Sequence, residues 1–485
     1  MFFKIVKKID SSYDKYVLIT STAKKINFPE YISKENKKFI EELIKENKFS
    51  AKVGEFLNAT FKVSFKNKTK KIEKIINFSL MGMGEIDKIN SKTIRQNLYS
   101  GLKNLTGKVV INFENEKLDN IDALAEVVEH INYKFDKYLT KKNEAKKLFI
   151  SCLSSKKVPR IIEGYELAKI SNIVKDLVNE HSEAMNPKAL AKRAEELGKE
   201  FGFEVEILDE KKAEKLGMKC FLSVARAAHH RPYVIVMRYT GNKSAKYKYG
   251  LVGKGLTYDT GGLSLKPNSG MLAMKEDMAG SATMIGAMCA IAKMKVKKNV
   301  TAVVATCENS IGPNAYRPGD VVETMNGITV EVTNTDAEGR LTLADALTYI
   351  IRKEKVDEVM DAATLTGAIM IALGEDVTGV FTNDDKAAKK LISASENWNE
   401  YFWQMPTFDS FKRYLKSDIA DMQNTGSRMG GSVNAAKFLE EFVEGKKWIH
   451  LDIAGTAFSN GGNPYFNKKG ATGQVFRTIY SYIKD

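Results

Sequence analysis

Val252-Gly-Lys-Gly-Leu-Thr-Tyr-Asp-Thr-Gly-Gly-Leu-Ser-Leu-Lys-Pro267 opens as an apolar β-strand and runs into a double-glycine turn at Gly261 and Gly262. Lys254 and Asp259 lie in its strand-like part, where a charge is costly to bury unless it is paired or bound to a metal ion. A salt bridge inside a sheet would explain this segment by itself. Strand-like runs recur at Tyr233–Tyr239, Tyr247–Tyr258, Val300–Thr306, Thr329–Thr333, Glu358–Ala362, Val377–Phe381 and Trp448–Ile453, with helical patterns between most of them. That alternation predicts an α/β/α arrangement around a mixed, largely parallel sheet. In such sheets ligands bind in the loops beyond the carboxyl ends of the strands.

The chain has 485 residues, of which 43% are hydrophobic and 28% charged, enough for a large core and for more than one domain. Residues 1–153 read as a smaller α/β amino-terminal domain, with strands such as Tyr16–Thr20 and Val109–Phe113 and helical stretches such as Ile121–Asn132. The charged run Ser154–Arg160 suggests a boundary before a helical pattern from Gly164 to about His181, which assigns 154–485 to the second domain. No apolar h-region follows Met1 to Lys8 and no 18-residue uncharged apolar run occurs elsewhere, so a soluble cytoplasmic protein is expected.

Cys152, Cys220, Cys289 and Cys307 are scattered without a Cys-x-x-Cys pair, and the five histidines form no His-Glu-x-x-His. Neither a disulfide framework nor a thiolate zinc site is indicated, and any metal must be held mainly by oxygen. The net charge of +15 raises binding to nucleic acid or another anionic surface. The excess is spread along the chain as lysine without an aromatic-interleaved basic motif, so it reads as solvated surface and nucleic acid is not favoured.

Two further segments concentrate charge among small residues. In Met274-Lys-Glu-Asp-Met-Ala-Gly-Ser-Ala-Thr283, Asp277 falls at the start of a helix, where a simple N-cap would account for it. Gly280, Ser281 and Ala282 would let that helix approach a sheet closely. In Asn334-Thr-Asp-Ala-Glu-Gly-Arg-Leu341, which leads into an amphipathic helix through Leu343, Ala346, Leu347 and Ile350, Asp336, Glu338 and Arg340 would share one side if the backbone were extended. Asp259, Asp277, Asp336 and Glu338 together supply four carboxylates beside Lys254. Four converging like charges repel unless cations neutralise them, and oxygen-rich sites suit Mn²⁺, Mg²⁺ or Zn²⁺. Two ions fit that charge better than one.

Asn334–Leu341, N-T-D-A-E-G-R-L, resembles the diagnostic octapeptide of the leucyl (cytosol) aminopeptidase family, a family of dinuclear metallopeptidases. The stretches V-G-K-G-L-T-Y-D-T-G-G-L-S-L-K-P, M-K-E-D-M-A-G-S-A, A-Y-R-P-G-D and W-I-H-L-D-I-A-G-T-A resemble it too, in the same order, and the likeness runs from about Gly164 to the carboxyl terminus. The resemblance implies that Asp259 and Glu338 bridge two divalent metal ions, with Asp336 completing one site and Lys254 and Asp277 the other. It implies that Lys266 polarises the substrate carbonyl and that Arg340 holds a bicarbonate-like anion able to act as general base. A neutral lysine amine as ligand needs a lowered pKa, which adjacent cations would impose.

The same resemblance implies an aminopeptidase that releases leucine-like residues from peptides with a free amino terminus. The amine would bind one metal, and a bridging hydroxide would attack the carbonyl carbon. An apolar recess would be formed by Met274, Thr364, Gly367, Ala454 and Ala457. Family members usually form homohexamers; some have second roles in nucleic-acid or surface binding, and such a role is the alternative function here. The sequence departs from the pattern at Ala225-Arg-Ala-Ala-His-His-Arg231, where relatives often have a glycine-serine turn. His229 and His230 read as exposed loop residues, and His450, inside an apolar strand, as a core histidine.

Overall fold

The structure, a computed structural model, describes the chain except for residues 1, 7–8, 67–70, 91–92, 114–120, 142–147, 154–157, 463–464 and 466–468. It divides into two compact units, Met1–Asn172 and Ile173–Asp485. The division runs inside the helix Val158–Asn179, later than the 153/154 boundary read from the sequence. Residues 154–157 of the run that suggested that boundary lie outside the described residues. The rest of the run is helical, and Pro159 stands in the first turn, where its missing N–H forfeits no helical bond.

The first unit holds a six-stranded sheet of β1 (Phe3–Val6), β2 (Lys15–Thr20), β3 (Phe56–Lys66), β4 (Lys71–Gly82), β5 (Gly107–Phe113) and β6 (Leu148–Leu153), in the order β1-β6-β5-β2-β4-β3. All neighbours are parallel except the β3–β4 hairpin. On β3, Leu57, Ala59, Phe61, Val63 and Phe65 are buried while the residues between them face solvent, the two-residue period of a strand with one covered face. They pack with Tyr16, Leu18, Phe78 and Leu80.

The second unit holds β7 (Glu204–Leu208), β8 (Tyr233–Thr240), β9 (Lys248–Asp259), β10 (Asn299–Asn309), β11 (Val321–Glu323), β12 (Thr329–Glu331), β13 (Glu358–Ala363), β14 (Val377–Thr382), β15 (Tyr401–Gln404), β16 (Met422–Gln423), β17 (Lys447–Asp452), β18 (Phe458–Asn460) and β19 (Lys469–Ala471). Eight of these form one sheet in the order β15-β14-β17-β13-β9-β10-β8-β7. Its centre, β10, β9, β13 and β17, is parallel, with antiparallel pairings at β14–β17, β10–β8 and β8–β7. The mixed, largely parallel sheet expected from the sequence is present.

Helices cover both faces of β9. A Cβ on Gly253 would lie 2.7 Å from Ser281 Cα in the helix Ala279–Lys293, and one on Gly250 would lie 3.2 Å from Ile350 Cδ1 in the helix Glu338–Arg352. Three residues apart on a strand, the two glycines face opposite sides. A Cβ on Gly280 would come within 2.1 Å of the Ala362 carbonyl, so the small residues of that helix permit an approach that larger ones would block. The parallel centre ends in Asp259, Asn309, Ala363 and Asp452, and the charged residues gather beyond these strand ends.

Candidate metal centre

Asp259 closes β9 and Lys254 stands five residues before it on the same strand, both almost fully buried. The chain then reverses through Gly261 and Gly262, at φ +85° and +62°, values that side-chain-bearing residues rarely adopt. Space excludes them too: a Cβ on Gly261 would sit 2.8 Å from Asp336 Oδ1. The reversal returns Lys266 to the strand end, where its N–H donates to the Thr260 carbonyl at 3.0 Å. Its ammonium lies 2.8 Å from Asp259 Oδ2 and also pairs with Asp336 Oδ1.

Asp277 occupies a 3₁₀ turn, Met274–Met278, ahead of the helix Ala279–Lys293. It does not cap that helix, whose flanking residue is Met278 with no side-chain cap bond. Its Oδ1 instead accepts from Lys254 Nζ at 2.7 Å and from Thr364 Oγ1 at 2.8 Å. The octapeptide likewise corrects the extended reading. Asp336 lies in a turn whose N–H donates to Asn334 Oδ1 at 2.8 Å, and Glu338 opens the helix Glu338–Arg352. Helix geometry turns Arg340 about 200° from Glu338; Arg340 Nη1 donates to the Asn424 carbonyl at 2.7 Å. Glu338 Oε1 lies 3.0 Å from Lys254 Nζ, and a Cβ on Gly339 would fall 2.4 Å from Lys254 Cε, which accounts for glycine in the first turn.

Ligand-capable oxygens of Asp259, Asp336 and Glu338 lie within 4.8 Å of one another. Asp277 Oδ2 and Glu338 Oε2 are buried and find no hydrogen-bond donor among the described residues. Burial first, then the neighbouring carboxylates, raise the pKa values of Asp277 and Glu338, against the pull of Lys254. Burial also raises Asp336. For Lys254, burial favours the neutral amine, but Asp277, Glu338 and Asp259 outweigh it and hold the ammonium. In the field of the carboxylates alone Lys254 is thus charged; its service as a ligand requires a cation to displace the proton. Burial lowers the Arg340 pKa to about 10.

A carboxylate-dominated donor set with orphaned buried lone pairs and surplus negative charge suits divalent cations of the Mn²⁺, Mg²⁺ or Zn²⁺ kind, and the residues present fit such ions. The residues named for the apolar recess sit on three segments: Met274 on the Asp277 turn, Thr364 and Gly367 after β13, and Ala454 and Ala457 after β17. Asp452 joins the last two, its Oδ1 accepting from Leu365 and Ala454 N–H at 3.2 and 3.3 Å. His450 is fully buried with Nδ1 2.6 Å from Asp361 Oδ1, a core histidine. His229 is exposed, whereas His230 is half-buried, 3.4 Å from Glu183 Oε2. Sequence reading missed Asn309, Thr335 and Asp452; each is polar at the end of an apolar strand or in the octapeptide, and that position is the signal that could have found them.

The description "Cytosol aminopeptidase family, catalytic domain" matches residues 172–480, and "Cytosol aminopeptidase family, N-terminal domain" matches residues 17–142. The "Probable cytosol aminopeptidase" of Fusobacterium nucleatum is 69% identical over 485 residues, covering 100% of this chain and 99% of that protein. That of Clostridium perfringens is 41% identical over 497 aligned positions, covering 99% and 98%. Among solved structures, a tomato leucine aminopeptidase variant superposes with a TM-score of 0.84 at 30% identity, covering 99% of this chain and 96% of that one. A bottromycin maturation enzyme in complex with Mn superposes with a TM-score of 0.84 at 27% identity, covering 98% and 99%.

Proposed function

Because the chain belongs to the cytosol aminopeptidase family and is a metal-dependent peptide hydrolase, we infer that it releases leucine-like residues from the free amino end of peptides at two divalent ions. The observation that carries this reading is the convergence of Asp259, Asp277, Asp336 and Glu338 on Lys254 and Lys266, with buried carboxylate oxygens left for a cation. Asp259 and Glu338 would bridge the ions, Asp336 would complete one site, and Lys254 with Asp277 the other. When bound, the ions supply an activated water and polarise the acyl oxygen.

The chain's own residues do the rest. Lys266, held at the strand end by Asp259 and Asp336, keeps a positive charge where the carbonyl oxygen becomes anionic, and so favours the transition state over the neutral ground state. Arg340 would hold a bicarbonate-like anion, which would supply a general base beside the carboxylates. Met274, Thr364, Gly367, Ala454 and Ala457 form the recess for the leucine-like side chain. Mn²⁺ and Zn²⁺ are the candidate ions, with Mg²⁺ as a third; Mn is the ion named for one of the structural relatives. The names of the relatives support a cytoplasmic location, and no helix among the described residues is long and apolar enough to cross a membrane. A homohexamer is the proposed assembly. A second role in nucleic-acid or surface binding, raised by the net charge of +15, finds no specific support in the site.

Blocking the α-amine removes the group that must dock beside the carboxylates. An N-acetylated leucyl substrate is therefore expected to react at least about 10³-fold more slowly than the free one, the scale of a lost anchoring contact together with lost orientation. Equal kcat/KM for the two contradicts amine anchoring.

A further inference from the structure

Asn309 ends β10 beside Asp259, with which it is in register, and is completely buried. Its Nδ2 donates to Asp259 Oδ1 at 2.8 Å and to the Thr335 carbonyl at 3.0 Å. Both partners are acceptors, so the amide can face them only with its nitrogen and its orientation is determined. The Gly261 N–H also donates to Asp259 Oδ1 at 2.8 Å. That oxygen is therefore occupied by two donors, and Oδ2, the oxygen facing Lys266, remains for a cation.

The second bond matters equally. Thr335 precedes Asp336, and its carbonyl also accepts from Tyr316 OH at 2.7 Å, while its Oγ1 donates to the Gly261 carbonyl at 2.7 Å. One amide thus ties the carboxylate at the end of β9 to the backbone that carries Asp336. We propose that Asn309 is a positioning residue of the metal centre: it sets the rotamer of Asp259 and the spacing between Asp259 and Asp336. This rests on the reading that these two carboxylates hold a divalent ion.

The test is calorimetric titration of Mn²⁺ into the metal-stripped full-length chain and into Asn309→Ala and Asn309→Leu, with a melting curve of each stripped protein. Leucine has the same number of side-chain heavy atoms as asparagine, branched at the same carbon, but has no donor. Both variants are expected to bind at least one ion about 10- to 100-fold more weakly than the unaltered chain, the usual effect of removing a hydrogen bond that orients a metal ligand. A role in packing alone predicts that Asn309→Leu titrates like the unaltered chain while Asn309→Ala does not, and that result overturns the proposal. So does normal binding in both. If the apolar variants fail to fold, Asn309→Ser, which keeps a donor in a smaller side chain, replaces them; a loss below about threefold in it, with Asp259 and Asp336 reoriented in its crystal structure, supports the proposal no better than wild-type binding and counts against it. Failure of the unaltered chain to take up Mn²⁺ strikes instead at the metal reading, and is distinguishable because it needs no variant.

Discussion

Lys254 Nζ lies 3.0 Å from Glu338 Oε1, joining the middle of β9 to the first residue of the helix Glu338–Arg352 across the most buried part of the site. A buried ammonium and carboxylate recover little more than their desolvation cost unless further hydrogen bonds satisfy them, and Glu338 Oε2 has none among the described residues. The arrangement is poor as a structural ion pair and well suited to a cation.

Glu338→Ala and Asp336→Ala are accordingly expected to preserve the fold while losing bound metal, with turnover falling on the order of 10³-fold or more. Elemental analysis of the purified variants beside steady-state kinetics checks this. Full metal content and normal activity in Glu338→Ala would remove that residue from the bridge.

Two lysines that pair with the same carboxylate cluster have different expected roles. Lys254 touches Asp277 and Glu338, whereas Lys266 touches Asp259 and Asp336 from the far side of the glycine turn. Lys254→Ala should weaken one ion and recover part of its activity at high Mn²⁺. Lys266→Ala should keep metal and lose kcat by about 10²- to 10³-fold, equivalent to about 3 kcal/mol. Mn²⁺ titrations and kinetics on both variants decide; metal loss in Lys266→Ala with normal binding in Lys254→Ala would reverse the two roles.

Away from the site, Asp361 accepts from Trp448 Nε1 at 2.7 Å and lies 2.6 Å from His450 Nδ1, all three side chains buried. Asp361→Asn sets an amide NH₂ against one of these donors and is expected to destabilise the chain by about 3 kcal/mol, as breaking a buried pair does. Burial alone would lower the His450 pKa, but the Asp361 carboxylate holds it above its ordinary value. A base whose pKa is higher folded than unfolded contributes stability that is complete below about pH 6.5 and is lost as pH rises through the folded value. The melting-temperature gap between the unaltered chain and Asp361→Asn should therefore narrow from pH 6 to pH 9; a gap that widens contradicts a charged pair.

The central strands were legible because full burial makes them largely apolar runs: Val300–Thr306 was read and Asn299–Asn309 observed, Tyr247–Tyr258 read and Lys248–Asp259 observed. The candidate metal-site residues stood out for the complementary reason, since Lys254 and Asp259 interrupt such a run. Their geometry was not legible. Asp277 has the local look of a helix cap, and only its tertiary contacts with Lys254 and Thr364 show otherwise. Asp336 and Glu338 alternate as in a strand, yet the helix begins at Glu338, and Gly339, unfavourable for a helix, is there because Lys254 fills the space a side chain would need. Asn309 looks like any polar strand end until β9 and the octapeptide are placed on either side of it.

The most direct test is hydrolysis of leucine p-nitroanilide by the full-length chain after exhaustive chelation, followed by stepwise return of Mn²⁺ with bound ion counted at each step. Activity should vanish on chelation and return as the count rises to two ions per chain. Undiminished hydrolysis by metal-free protein, or full activity with no ion bound at the Asp259 and Glu338 carboxylates, would contradict a two-metal aminopeptidase.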